Sequence, residues 1–367
     1  MAVARPKLRS RKGGAAVPLD ETDKRLMNLL QSSFPLAPEP YELVAAEAGL
    51  HAGEVKSRTE RLLHERIIRE ITPIFDTRAL GYSSMLVAAQ VDSDNPQRAA
   101  RIINEHPGVS HNYLRTHEFN LWFTIATPPD SRLGLDGTLE VLKRLTGAES
   151  IRQLPTLTLF KINMNLEMEG GTQALAAEVD AAPPRQLGAQ PYDESDIAVI
   201  RALQGPMEVA DRPYDGAAAE LGIGTDDFLE HLRGMVDRKL LRRVAAILYH
   251  RRAGFSANGM GVWRVPEEEI LETGRRMAAV RGISHCYQRP TYPDWPYSIF
   301  TMAHGRSKQE CDAILDRIAD EHGLHGEDRA VLYSSTEYKK VRLHYFVDDY
   351  SRWEDEHSGT LEEAAPR

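Results

Sequence analysis

The sequence predicts an α+β chain. It reads as a tandem duplication of a winged helix-turn-helix joined to a ferredoxin-like βαββαβ unit, closed as a pseudo-twofold internal dimer. Two observations predict this. The first is a long-period repeat: VSHNYLR at 109–115 returns as ISHCYQR at 283–289, an offset of 174. LDETD at 19–23 matches YDESD at 192–196, and ERIIRE at 65–70 matches RKLLRR at 238–243, both offset by 173. The second is that each half passes from helical apolar spacing to alternating apolar spacing. Two copies of one unit in series form a built-in dimer whose halves can diverge around a shared site.

Taken in order, the first helix follows LDETD, with Asp20 as its cap and Leu26, Leu29 and Leu30 at helical spacing. A short helix over 41–48 breaks at Gly49. A third covers 52–66, with Val55, Thr59, Leu62 and Leu63 on one face. The second half repeats the pattern in AAAELGIGTDDFLEHLRGMVDRKLL, with Gly222 at the turn. Strands are predicted at 82–91, 109–115, 119–126 and 151–164, with helices at 96–105 and 133–146. Their counterparts are strands near 258–265, 282–289, 297–303 and 329–346, with helices at 267–280 and 307–322. The order β-α-β-β-α-β is ferredoxin-like. Helix-turn-helix domains are therefore placed at 19–80 and 192–253, and ferredoxin-like domains at 81–166 and 254–354. The Ala-, Gly- and Pro-rich stretch 167–191 reads as a linker. A disordered basic tail at 1–18 and a loose acidic tail at 355–367 flank them.

Composition narrows the class. No apolar run approaches the ~20 residues of a membrane span, and the basic N-terminus lacks the apolar stretch of a secretory signal. Only Cys286 and Cys311 are present, so no disulfide framework or cysteine-rich metal site is available. A cytoplasmic setting fits. The net charge of −9 is a poor balance for a nucleic-acid binder. The third helix of the first half carries four cations against three acids, and its counterpart at 225–239 carries three against four. An acidic N-terminal end would repel phosphates where a reading helix meets DNA. The helices read better as a brace for the dimer, with no nucleic-acid and no membrane partner expected.

Strand alternation predicts Val109, His111, Tyr113 and Arg115 on one face, and Ile283, His285, Tyr287 and Arg289 on its counterpart. A polar strand face is ordinarily just solvated, but its retention in two otherwise divergent halves favours function. The next strand sets Asn120 and Trp122 against Leu121, Phe123 and Ile125, the last three reading as core. The second half holds Trp295, Tyr297 and His304 in the corresponding turn and strand. The halves differ in their histidines: His117 has no counterpart, and Thr127 is expected where the second half has His304. Lys339, Lys340 and Arg342 form a basic run beside Tyr338, His344 and Tyr345, either a solvated edge or a patch for a polyanion. Cys286 adjoins His285 but should point to the opposite face.

A helix-turn-helix followed by βαββαβ resembles the Lrp/AsnC regulators. The phrases GVSHNYLRTHEFNLWFT, GISHCYQRPTYPDWPYSIFTMAHG, GMGVWRVP and LYSSTEYKK resemble more closely the two subunits of siroheme decarboxylase, fused here over residues 19–354. That resemblance implies loss of the C12 and C18 acetate carboxylates of siroheme, on a route to haem or to dioxo-haem. It implies siroheme as substrate, no required cofactor, and haem as a molecule that can co-purify. Downstream haem-biosynthesis enzymes and a higher homo-oligomer are compatible partners. Tyr113, Arg115, Trp122, Tyr287, Arg289, Trp295, Lys339, Lys340 and Arg342 would bind the macrocycle and its carboxylates. His111 and His117, and separately His285 and His304, would act as acids. His285 and His304 are the candidates for axial ligation of the substrate's iron. The alternative class is a ligand-sensing regulator, and a tetrapyrrole carrier is a third.

Overall fold

The computed structural model describes residues 19–162, 188–249, 257–305, 307–357 and 359. The basic tail 1–18, linker residues 167–187 and residues 360–367 lie outside the described residues. Each half opens with three helices and a strand: α1 (Glu21–Ser32), α2 (Pro40–Ala48), α3 (Ala52–His64) and β1 (Ile68–Phe75), then α6 (Glu194–Leu203), α7 (Asp215–Glu220), α8 (Thr225–Asp237) and β7 (Leu241–Leu248). The first βαββαβ unit runs β2 (Ser83–Gln90), α4 (Pro96–Glu105), β3 (Val109–Arg115), β4 (Leu121–Thr127), α5 (Gly134–Thr146), β5 (Ser150–Gln153), and adds β6 (Thr158–Ile162). The second runs β8 (Ala257–Trp263), α9 (Ile270–Ala279), β9 (Ile283–Gln288), β10 (Ile299–Gly305), α10 (Lys308–His322), β11 (Arg329–Lys340), and adds α11 (Asp349–His357). Among the described residues no helix is long and apolar enough to cross a membrane.

The LDETD and YDESD motifs are capping boxes. Asp20 and Asp193 cap α1 and α6, with Asp23 and Asp196 reaching back to the cap nitrogens. Asp23 and Asp196 are buried. Each is held by groups from the third helix of its own half or its C-cap: Asp23 by Arg58 at 2.9 Å and Arg61 at 2.5 Å, Asp196 by Arg238 at 2.6 Å and by a hydrogen bond with the His231 ring at 2.7 Å. These arginines of the would-be reading helices are thus committed to buried aspartates of their own half. Gly49 (φ 70°) and Gly222 (φ 69°) make the left-handed turns after α2 and α7. The third helix ends at His64, two residues before the expected 66, because Arg66 turns left-handed at φ 57° to start the wing.

The wings are exchanged. β1 pairs antiparallel with β7 of the other half, with Ile71 opposite Ala246. One apolar core therefore unites both helical domains, with Leu26, Phe34 and Leu62 beside Tyr214, Phe228 and Leu232. The helices do brace the internal dimer.

The nine-stranded sheet has the order β5-β2-β4-β3-β11-β8-β10-β9-β6. Each half keeps its ferredoxin-like order, and each last strand is shared. β11 pairs through Arg329–Tyr333 with β8 of its own half, then through Ser334–Lys340 with β3 of the other. β5 pairs with β2, and β6 crosses to β9. The strand expected at 151–164 is therefore two. They break at Pro155, where Leu154 N–H donates to Leu86 O and Leu157 N–H to Gln288 O, so the chain changes partners. Residues 154–157 connect β5 and β6, the two end strands of the row. Helices cover the outside over two apolar cores. Between the sheets lies a third core containing Phe119, Trp122, Leu154, Trp295, Phe300 and Leu332.

Two expectations fail near the C-terminus. The last strand stops at Lys340 rather than 346, since 341–346 turns into the helical core and buries Tyr345. The tail expected to be loose from 355 is helical to His357. Trp353 is buried against the ring of His106, with centroids 4.5 Å apart. Glu354 accepts from Ser131 Oγ at 2.5 Å and Arg132 N at 3.2 Å.

Burial under Trp353 pushes the His106 imidazole down to about 3, with the charge of Lys339 adding to the effect. Its Nδ1 accepts from Gly108 N at 3.0 Å. The folded state keeps this ring neutral, whereas the unfolded chain protonates it below its ordinary 6.5. The unfolded state then binds more protons, and stability falls as pH drops from about 6.5 toward 3. Urea midpoints of His106→Asn, which retains an acceptor, should lose less between pH 7 and pH 5 than wild type. The expected difference is about 2 kcal/mol; parallel curves would refute the assignment.

Candidate functional site between the sheets

The repeated motif does not alternate perfectly, because each copy carries a bulge. β3 shifts register against β4 between Val109 and His111, and β10 shifts against β9 between Met302 and Ala303. Val109 and Ile283 consequently turn into the helix-side cores. His111, Tyr113 and Arg115, and likewise His285, Tyr287 and Arg289, face the space between the sheets. The geometry repeats closely. His111 and Tyr113 stack at 6.1 Å and 29°, His285 and Tyr287 at 6.0 Å and 29°. Ser110 Oγ hydrogen-bonds His111 Nδ1 at 3.0 Å, and Ser284 Oγ hydrogen-bonds His285 Nδ1 at 2.6 Å. These serines were overlooked, although the repeated Ser-His pair carried the signal. Cys286 is buried on the helix side, donates to Gly274 O at 3.5 Å, and burial pushes its thiol up, away from any nucleophilic role.

Arg115 and Arg289 lie deep in the structure. Arg115 donates through Nη1 to Leu332 O at 3.0 Å, and Arg289 through Nη1 to Leu154 O. Their guanidinium carbons sit 6.0 and 5.0 Å from the rings of Tyr113 and Tyr287. The Nε of each is buried without a hydrogen bond. Burial drags both guanidiniums down to about 10. Among the described residues neither has a carboxylate partner.

The histidines part company. His285 and His304 lie together, with ring centroids 6.5 Å apart. His111 and His117 occupy opposite ends of β3 and are not brought together. His117 packs at the turn against Trp295 of the other half at 5.2 Å, its Nδ1 accepting from Phe119 N at 3.1 Å. Burial lowers its pKa. The expected counterpart of His304 is also corrected. Tyr113 opposes Trp122 while Tyr287 opposes Phe300, so the second turn is longer by four residues and His304 aligns with Ala126, not Thr127. Ala126 is buried in the helical core, and the first half has no imidazole there. His111 is held down to about 4 by burial, then by the charges of Lys340 and Arg69.

The basic run 339–342 is split by its strand. Lys339 Nζ donates to Asn104 O at 2.7 Å and His106 O at 3.3 Å, capping α4 on the helix side. Arg342 donates to Thr72 Oγ1 and to Pro73 O at 2.7 Å, tying β1 to the sheet. Only Lys340 stays beside the site, directly opposite His111. Trp122 and Trp295 are fully buried and pack edge-on at 5.3 Å, with Trp122 Nε1 donating to Phe119 O at 2.7 Å. They are mortar between the sheets, not open ring walls. A separate cleft of about 250 Å³, lined by Tyr82, Asp130, Glu194, Arg201 and Phe346, contains none of these residues. It falls below the roughly 300–1,000 Å³ of small-molecule sites.

Comparison with known proteins agrees with this arrangement. Residues 79–161 and 252–339 match the family model of the AsnC-like ligand binding domain, and 23–69 and 196–242 that of the siroheme decarboxylase NirDL-like HTH domain. The chain is 37% identical over 337 residues to the siroheme decarboxylase of Hydrogenobacter thermophilus, covering 91% of this chain and 97% of that one. It is 37% identical over 153 residues to the siroheme decarboxylase beta subunit of Methanosarcina barkeri, which spans 41% of this chain and 99% of the subunit. The crystal structure of the siroheme decarboxylase NirDL has a TM-score of 0.73 at 33% identity, covering 93% of this chain and 100% of that one. A second, in co-complex with an iron-uroporphyrin III analogue, also has a TM-score of 0.73, at 32% identity and the same coverage. With two helix-turn-helix and two AsnC-like domains in one chain, and likeness running nearly end to end, this protein belongs to the siroheme decarboxylase family.

Proposed function

We propose that the chain decarboxylates siroheme at its C12 and C18 acetates, releasing two carbon dioxide molecules. The observation that carries this reading is the pair of deeply set guanidiniums, Arg115 and Arg289, at equivalent positions, with their Nε atoms buried unbonded and no carboxylate partner among the described residues. A buried charge left unpaired costs several kcal/mol. A tetrapyrrole rimmed by carboxylates repays that cost on binding, so the site is poised for a polyanion. Tyr113 and Tyr287, partly accessible beside the arginines, offer aromatic faces in place of the buried tryptophans.

The chemistry needs few groups. The bond from the acetate methylene to its carboxyl carbon breaks, carbon dioxide leaves, and the electron pair delocalises into the ring. One proton delivered to the methylene carbon completes the methyl group. His285 and His304 are the best acids for that delivery, their rings lying 6.5 Å apart on the strands that line the interior of the second half. The substrate's iron would draw one imidazole of this pair as an axial ligand, leaving the other for the proton. His111, kept neutral near pH 7, suits hydrogen bonding rather than proton donation. The two halves therefore take unequal roles, and no added cofactor enters the scheme.

Mass spectrometry of siroheme incubated with the protein should show loss of two carboxyl groups; unchanged siroheme would refute the activity. Arg115→Met and Arg289→Met should each weaken iron uroporphyrin III binding by about 1.5–3 kcal/mol, the scale of a charged hydrogen bond. Their urea midpoints should hold or rise, because a buried unpaired charge is removed. Undiminished binding in both variants would overturn the clamp. Replacing His285 and His304 together by Asn should lower kcat by ~10²–10⁴-fold while iron uroporphyrin III still binds. His117→Asn should leave kcat near wild type. Full turnover in the double variant would transfer acid catalysis elsewhere.

A further inference from the structure

We infer that the wing strand β1 delivers a third arginine, Arg69, to the His111 end of the first half's face, where Arg69 and Lys340 form a second anchor for a rim carboxylate of the tetrapyrrole. The inference deepens the decarboxylase reading and rests on it. Arg69 Nη2 donates to Lys340 O at 3.4 Å. Lys340 is exposed and lies directly opposite His111 in the β11–β3 pair. Paired residues on facing strands stand ~5 Å apart at their Cα atoms and share a face. Arg69, Lys340 and His111 thus converge within one strand spacing.

The local charge is unbalanced. Glu70 is the carboxylate nearest Arg69, 3.5 Å from Nε, and it is shared with Arg342 at 3.7 Å. Both separations exceed the ~2.7–2.9 Å of a charge-assisted hydrogen bond, and Glu70 Oε1 makes none. Glu337, opposite Tyr113, is exposed and is the acid flanking this face along β11. Arg342 is committed to Thr72 and Pro73. Arg69 and Lys340 therefore retain donors for an anion.

The other half closes the equivalent positions. Arg242, offset by 173 from Arg69, is held by Asp76 through Nη2 at 2.6 Å and Nε at 2.9 Å. Opposite His285, where Lys340 would fall, stands Ile162. The first half's face is cationic at its His111 end, whereas the equivalent end of the second half carries the imidazole pair. The exchanged wings gain a purpose here: they carry Arg69 from a helical domain to the sheet.

Absorbance titration of the full chain tests this, with iron uroporphyrin III as the octacarboxylate and haem as the dipropionate. Arg69→Gln and Lys340→Gln should each weaken iron uroporphyrin III binding ~10-fold, about one charged hydrogen bond, and change haem binding less than ~2-fold. Arg69→Lys should recover most of the loss. KM for siroheme should rise by a similar factor while kcat stays within ~2-fold of wild type, as for a group that binds ground and transition states alike. Unchanged iron uroporphyrin III affinity in Arg69→Gln overturns the anchor. Equal loss for both ligands also overturns it, marking a structural disturbance. Should Arg69→Gln unfold, the exposed Lys340→Gln decides by the same criteria. If wild type binds iron uroporphyrin III with this selectivity but leaves siroheme intact, the anchor stands and the decarboxylase reading fails.

Discussion

Open sheet edges must be paired or guarded, and this chain pairs them across its own duplication. Each ferredoxin-like half has β3 or β9 as an exposed edge, and each is completed by the last strand of the other half. The exchange joins the nine strands into one row, and the strands of the two halves enclose a shared apolar core. The repeated polar faces of β3 and β9 line that interior. The repeated His-Tyr-Arg triplets, the tryptophan mortar and the imidazole pair all depend on β11 and β6 changing partners midway. A separated half would expose its edge and open the site to water at once.

The same enclosure explains how an acidic protein can serve a polyanionic ligand. Net charge sets long-range behaviour, while affinity depends on the few groups that meet the ligand. Arg115 and Arg289 stand between aromatic rings and single backbone carbonyls. Such groups lower stability unless a partner pairs them, which is why the proposed site is assigned to them. Arg58 and Arg61 of α3 and Arg238 at the end of α8, by contrast, are held by Asp23 and Asp196. The helix-turn-helix domains keep their shape through these bridges, at positions where DNA readers would leave cations free for phosphate.

Much of this was legible in the residues. Helical and alternating periodicity placed α4 and β3 to the residue, because both have one dry face. Repetition marked the His-Tyr-Arg triplets, and the paired strands carry them into the interior. What could not be read were features set by contacts distant in sequence. A bulge at Val109 and another opposite Ile283 reverse the face of one residue each, and no local propensity announces them. The four-residue difference in turn length moved His304 from Thr127 to Ala126. Lys339 and Arg342 looked like ligand groups because sequence cannot show that α4 and β1 claim them first. Arg69 was hidden by the exchange of wings, although ERIIRE and RKLLRR had marked its strand as duplicated.

The differences between the halves then follow one rule. Duplication supplies two copies of every group, and packing decides which copy stays available. Asp76 closes Arg242 at 2.6 Å, whereas among the described residues the only carboxylate Arg69 meets is Glu70, at 3.5 Å. The helical core occupies Ala126, so the imidazole is present in only one half, at His304. Each loss is local and leaves the shared scaffold intact, since the strand exchange needs backbone pairing rather than these side chains. A symmetric dimer of identical chains cannot make this separation, because any substitution appears on both faces. Fusion, or two distinct subunits, is the physical condition for one face to hold a substrate while the other works on it.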